Sequence, residues 1–223
     1  MTHEAMPRRA LLKRFAGIGA GAALISMPVG LLVPATAEAA DRKDPVVDPH
    51  PTSLNGWALA DKTDAGQGVW SCSVPGTGFS IDTRLGMVEI LLVHAIRRWH
   101  YEIETLREGE VIGWRPVAEL DSKGPESNQA SGTAVAIRPA AYGKGLKGGL
   151  TDAQTQTVRS ILDDCGGIVR WGGDDETPYE ALFYIDTPPA AVAARSVTSP
   201  LGKAAGRLRT WNQAPGMGAG AAA

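Results

Sequence analysis

The sequence predicts an α+β domain, a small, largely antiparallel sheet with helices packed on it. Apolar residues recur at helical spacing in one long segment and one shorter one. Around them lie short β-prone runs closed by glycine and proline turns. Strands and helices follow one another without the regular alternation that a parallel βαβ sheet requires.

The first residues stand apart from that domain. Arg8, Arg9, Lys13 and Arg14 form a basic head, residues 15–37 are uncharged and rich in Gly, Ala, Leu and Val, and Ala37-Glu38-Ala39 is a small-x-small cleavage site. These regions, in this order, make residues 1–39 a secretory leader. The Arg8-Arg9 pair resembles a bacterial twin-arginine signal, which implies passage through the twin-arginine export machinery and residence outside the cytoplasm, in the cell envelope or beyond. The apolar run is long enough to span a bilayer, so an uncleaved leader would act as a membrane anchor. Pro28, Pro34 and the glycines make a poor spanning helix and favour cleavage.

Removing the leader leaves about 185 residues, enough for one domain with its own core. It also removes a surplus of positive charge, so the net charge falls from −2 to about −4. That balance argues against a general nucleic-acid or anionic-membrane partner. The cysteines are Cys72 and Cys165. An exported compartment permits a disulfide between them, but sequence alone does not show that they meet.

Residues 40–55 are polar and proline-rich and read as a linker, and the domain proper covers residues 56–188. Val69 to Val74 reads as a strand, Pro75-Gly76-Thr77-Gly78 as a turn and Phe79 to Thr83 as a second strand. From Met87 to Leu106, residues such as Val88, Leu91, Leu92, Ala95, Ile96 and Trp99 repeat at helical spacing and predict a long core helix. Glu110 to Arg115 reads as a strand stopped by Pro116, and a glycine- and serine-rich loop leads to a strand over Thr133 to Arg138. Ala140 to Leu150 is a glycine-rich loop. Thr151 and Gln154 form a capping box for a helix that runs to about Cys165 and stops at Gly166-Gly167. Ile168 to Trp171 and Ala181 to Ile185 are the last strands, Pro188-Pro189 ends the second, residues 189–211 can form an alanine-rich helix, and residues 212–223 read as a disordered tail.

Three blocks carry a family resemblance. Ser127 to Ala136 reads Ser-Asn-Gln-Ala-Ser-Gly-Thr-Ala-Val-Ala. It resembles the Ser-x-His-x-x-Gly-x-Ala-x-Asp signature of the zinc D-Ala-D-Ala carboxypeptidases, which trim bacterial cell-wall peptides. Val111 to Pro116 is similar to the family strand that ends in a basic residue beside the active site. Arg170-Trp171-Gly172-Gly173-Asp174, followed by Pro178 to Ile185, is similar to its terminal block. The resemblance covers residues 86–186 and implies the Hedgehog/D,D-peptidase fold.

It also implies a chemistry that this chain lacks the side chains to perform. A zinc hydrolase needs three protein ligands, an open position for water and a carboxylate base. At the ligand positions stand Gln129, Ala136 and Leu182, and at the base position Tyr179, with Glu180 beside it. A neutral amide is a poor zinc ligand, and alanine and leucine offer no donor atom. Zinc is therefore expected to be lost, and no catalytic residue carries over. His94 and His100, the histidines of the domain, are six apart on a predicted helix and point about 240° from each other, so they do not easily share an ion. Asp174-Asp175-Glu176 reads as a solvated turn rather than a calcium loop, and Gly143 to Gly149 lacks the Lys-Ser/Thr of a phosphate loop.

The expected protein is a non-catalytic, exported relative that binds peptidoglycan peptide, or an exported protein partner, through the former cleft. Arg115, Ser127, Gln129 and Tyr179 are the candidate ligand contacts. Arg115 could grip a peptide carboxylate through two hydrogen bonds, or close a loop onto Asp121 or Glu119. The alternative is an active cell-wall peptidase or other hydrolase with a rebuilt, non-standard site.

Overall fold

A computed structural model describes residues 51–189 and 199–213, all within the unit Val46–Ala223. The leader with Arg8 and Arg9, the linker up to residue 50, residues 190–198 and the tail from residue 214 lie outside the described residues. Strands β1 (Val69–Ser73) and β2 (Ser80–Arg84) form an antiparallel hairpin. Strands β3 (Val111–Ile112), β4 (Ala134–Ile137), β5 (Val169–Trp171) and β6 (Leu182–Ile185) form an antiparallel sheet in the order β3-β4-β6-β5. Helices α1 (Met87–Glu102), α2 (Asp152–Asp164) and α3 (Pro200–Gln213) complete a mixed α+β architecture with small antiparallel sheets. Among the described residues no helix is long and apolar enough to cross a membrane.

Register decides what each face of the sheet carries. Val135 pairs with Phe183, and Phe183 meets Trp99 of α1 edge-on, with ring centroids 5.8 Å apart. That face is the core, where α1 contributes Leu91, Leu92, Ala95 and Ile96, all fully buried. Alternation sends the neighbours of Val135 and Phe183 the other way. Ala136 therefore stands opposite Leu182, and Ala134 opposite Tyr184, on the face turned from α1. Arg170 of β5 pairs with Tyr184 and joins that face.

A 3-10 helix, Pro125–Ser131, packs across β4 and β6. The serine- and glycine-rich composition reads as a loop because the segment has no apolar period. Polar side chains build it instead. Asn128 O receives Thr133 N and the Ser131 hydroxyl, and Gly132 ends the turn with φ of 69°. Residues 51–55 dock on it, although they belong to the expected linker. Ser127 Oγ accepts from Leu54 N at 3.0 Å, Asn128 Oδ1 from Asn55 N at 3.0 Å, and Ser53 Oγ donates to Ser131 Oγ at 2.8 Å. The buried hydroxyls of Ser53, Ser127 and Ser131 and the Asn128 amide oxygen thus find partners, as burial demands.

Two elements are shorter than their sequence pattern. α1 stops at Glu102 because Ile103 N and Glu104 N both turn back to Trp99 O, while Leu106 N donates to His100 Nδ1. Leu106 still reaches the core by this turn. β3 covers only Val111–Ile112, because Trp114 N leaves the sheet ladder to donate to Asp82 O of β2 at 2.7 Å. The Thr151–Gln154 capping box forms as its spacing dictates.

Candidate functional site

The positions singled out in the sequence share one region but form no open metal cleft. Ala136 and Leu182 are cross-strand neighbours, 2 % and 0 % exposed. Gln129 sits on the 3-10 helix that covers them and is 1 % exposed. Its Nε2 donates to Ile112 O at 3.0 Å and Gly113 O at 2.9 Å, so the amide ties that helix to the end of β3. Glycine closes the remaining space, because a Cβ on Gly172 would stand 3.1 Å from Leu182 Cβ. The residues present do not fit zinc, since Ala136 and Leu182 carry no donor atom and Gln129 presents an N–H group already engaged by carbonyls. Among the described residues no group of His, Cys, Asp and Glu is arranged to hold a metal ion.

Glu180, beside the base position, is 4 % exposed and turns away to a different task. Its Oε1 accepts from Gly148 N at 2.7 Å and its Oε2 from Gly149 N at 2.8 Å. One carboxylate thus pins the glycine-rich loop through consecutive amides, which are its hydrogen-bond donors in place of water. A further bond from Gly145 N to Pro178 O fixes the loop at its other end.

Pinning that loop brings Lys144 to the rim of a cavity of about 490 Å³ on the face turned from α1. Tyr179 lines this cavity, whereas Arg115, Ser127 and Gln129 do not. Ser127 is buried and spent on Leu54 N. Arg115 reaches Glu119, at 3.4 Å to both its carbonyl and its carboxylate, which is the loop-closing contact rather than one with Asp121. Sequence reasoning gave no ligand role to the groups that make most of the wall, although it singled out the loop of Lys144 and the turn of Asp175. Glu126, the residue just before the Ser127 block, is 8 % exposed and accepts from Lys144 Nζ at 2.5 Å. Lys144 also reaches Asp121 Oδ2 at 3.3 Å. Across the cavity the Tyr184 hydroxyl donates to Asp175 Oδ1 at 2.9 Å, and Arg170 approaches Asp175 and Asp186 at 3.5 Å. The only signals available in sequence were the adjacency of Glu126 to Ser127 and the single lysine placed between Gly143 and Gly145.

The electrostatics follow from this arrangement. The hydrogen bond to Glu126 holds the Lys144 ammonium above its ordinary range. Burial pushes the Asp175 carboxyl up, opposed by the hydrogen bond from Tyr184. Tyr179 is half-buried, and burial followed by the charge of Glu126 raises its phenol, while Arg115 and Lys144 act in the opposite sense. The phenol is therefore protonated at neutral pH, a hydrogen-bond donor rather than a base.

The remaining candidates are structural. Cys72 and Cys165 do not form a disulfide; both are free, buried thiols, and burial pushes each up to about 12. A thiol so far above neutral is unreactive. His94 is fully buried against Asp164, and His100 accepts from a backbone amide. Asp174 is held by Arg159, whose guanidinium also lies over the Trp171 ring. No family model matches the chain, and no curated protein and no solved structure is significantly similar to it.

Proposed function

We propose that this protein is an exported, non-catalytic homologue of the zinc D-Ala-D-Ala carboxypeptidases, with their Hedgehog/D,D-peptidase fold, and that it binds peptidoglycan peptide. The register carrying Ala136 opposite Leu182 supports the reading most. Two strands distant in sequence, matched to the family only by pattern, bring their degenerate ligand positions side by side on one face. An accidental match has no reason to pair them. The Gln129 helix, which carries the third position, packs on the same strands. A cavity lined by Tyr179 adjoins this face and supports a place for a peptide, beside positions whose side chains, Ala136 and Leu182, offer no zinc donor. The basic, apolar and small-residue regions of the leader support export.

Calorimetric titration of the full chain with a muramyl peptide ending in D-Ala tests the proposal. A heat of binding at roughly millimolar affinity, with the peptide left uncut, is expected. Tyr179→Ala is expected to weaken it, because Tyr179 is the sequence-predicted contact that lines the cavity. Silence in this titration, or release of D-Ala, would remove the reading.

A further inference from the structure

The cavity's own charges indicate what it receives. Its wall carries five carboxylates against three cations. On one side of it Asp121 and Glu126 share one ammonium, that of Lys144, so this group keeps one formal negative charge. Glu126 is the buried member. Its Oε1 is taken by Lys144, but its Oε2 is buried and accepts no hydrogen bond. A carboxylate oxygen left out of water without a donor costs several times what an ordinary hydrogen bond contributes. Gly124 contributes to the same feature. A Cβ there would stand 2.8 Å from Glu126 Oε2 and 3.3 Å from Asp121 Oδ2, so a glycine keeps the space between the two carboxylates clear.

We propose that this cavity binds the primary ammonium group of a peptide side chain or terminus, with Glu126 as its acceptor and Asp121 as the second carboxylate. The assignment rests on the reading of the cavity as a peptide site and names the group on the peptide that it recognises. A divalent ion is a poorer fit, because no set of carboxylates in the described residues converges as metal ligands must. A carboxylate ligand is poorer still beside this group, where it would meet the uncompensated negative charge. An ammonium satisfies both demands at once, supplying donors for Oε2 and the missing positive charge. Lys144, about a third exposed and paired with both carboxylates, must swing outward to open Glu126 to the incoming group. Tyr179 on the cavity wall supplies an aromatic face, a surface that attracts cations.

The test uses the full chain and three probes in NMR titrations: Nα-acetyl-lysine methylamide, its Nε-acetylated neutral counterpart, and an N-acetylated D-Ala-D-Ala peptide with no amine. The lysine amide should shift the amides around Glu126 and Lys144, and the neutral counterpart should bind at least about tenfold more weakly. Glu126→Gln should lower the affinity for the lysine amide by a similar factor. Should that variant fail to fold, Asp121→Asn, half exposed in the native protein, should weaken binding several-fold, and added salt should do the same for the wild type. Equal binding of the charged and neutral lysine probes would overturn the ammonium site, as would indifference to both substitutions. Binding of the D-Ala-D-Ala peptide with no preference for an amine would overturn this inference and leave the peptide-binding function standing. Binding of the lysine amide alone would support the ammonium site and remove the D-Ala reading. Binding of none of the probes would overturn both.

Discussion

His94 has its imidazole wholly out of water at the seam of α1 and α2, with Nε2 3.0 Å from Asp164 Oδ2. Burial lowers its pKa from 6.5 to about 4, more than the bond and charge of Asp164 raise it, and Arg98 and Arg97 add to the lowering. The folded chain therefore holds this histidine neutral at a pH where the unfolded chain protonates it. Between pH 6.5 and 4 the unfolded state binds more protons, so stability falls as the solution is acidified through that window and is unaffected by this group above it. The gap between the two values corresponds to about 3 kcal/mol when fully developed. Urea unfolding of the wild type and a His94→Leu variant at neutral pH and near pH 4.5 measures it. The variant should gain about 2 kcal/mol relative to the wild type on acidification. Parallel pH profiles would show that the imidazole takes no part. The residue scale is also where sequence reading reached least far. That His94 is a packing residue follows from its place on an apolar helix, but its partner Asp164 stands seventy positions away at the end of α2, where Arg98 of α1 also reaches it at 2.6 Å.

Elements were legible wherever local chemistry sets them. The Thr151 box, the Gly166-Gly167 stop with φ of 64° and 74°, and the α1 period all fall where the residues demand. They were illegible where a distant chain sets them. The Pro125–Ser131 helix owes its form to residues 51–55, and β3 ends where β2 intrudes. Gly113 marks that intrusion, because a Cβ there would lie 2.0 Å from Asp82 O. Gly113→Ala must push the two sheets apart and is expected to cost about 1–3 kcal/mol. Gly206→Ala is the opposite case. It lies in α3 with nothing within 4 Å of a new Cβ, so removing backbone freedom should stabilise by about 0.5–1 kcal/mol. Calorimetric melting of the two variants should show shifts of opposite sign, about 2–4 °C for each kcal/mol in a chain of this size. A melting point unchanged by Gly113→Ala would mean that the hairpin and the sheet do not meet at this carbonyl.

At the scale of the whole molecule, the sequence and the fold address different halves of the site. Pattern matching singled out Gln129, Ala136, Leu182 and Tyr179, because they fall at the spacing of the signature that the sequence resembles. It did not reach Glu126, and it read Lys144 only within a glycine-rich loop and Asp175 only within a solvated turn, because their convergence depends on how loops close over a sheet face. The two halves can be joined by one substitution experiment. If the chain descends from a zinc hydrolase, the family's ligand geometry should still be latent in its backbone. The register that pairs Ala136 with Leu182 and the helix that lays Gln129 across the same strands are the parts it needs. A variant combining Gln129→His, Ala136→Asp and Leu182→His would replace a packed apolar contact with buried polar groups. It should lose several kcal/mol without metal, since an unpaired buried carboxylate is costly. Zinc binds only where the three groups converge, and it would stabilise the folded state by about 2.7 kcal/mol at a free concentration a hundred times its dissociation constant. Thermal melts with and without zinc, set against the wild type, separate the cases. A zinc-dependent rise confined to the triple variant is expected. A triple variant that folds yet gains nothing from zinc would mean that these three positions never formed a site, and the resemblance would then be one of sequence pattern alone.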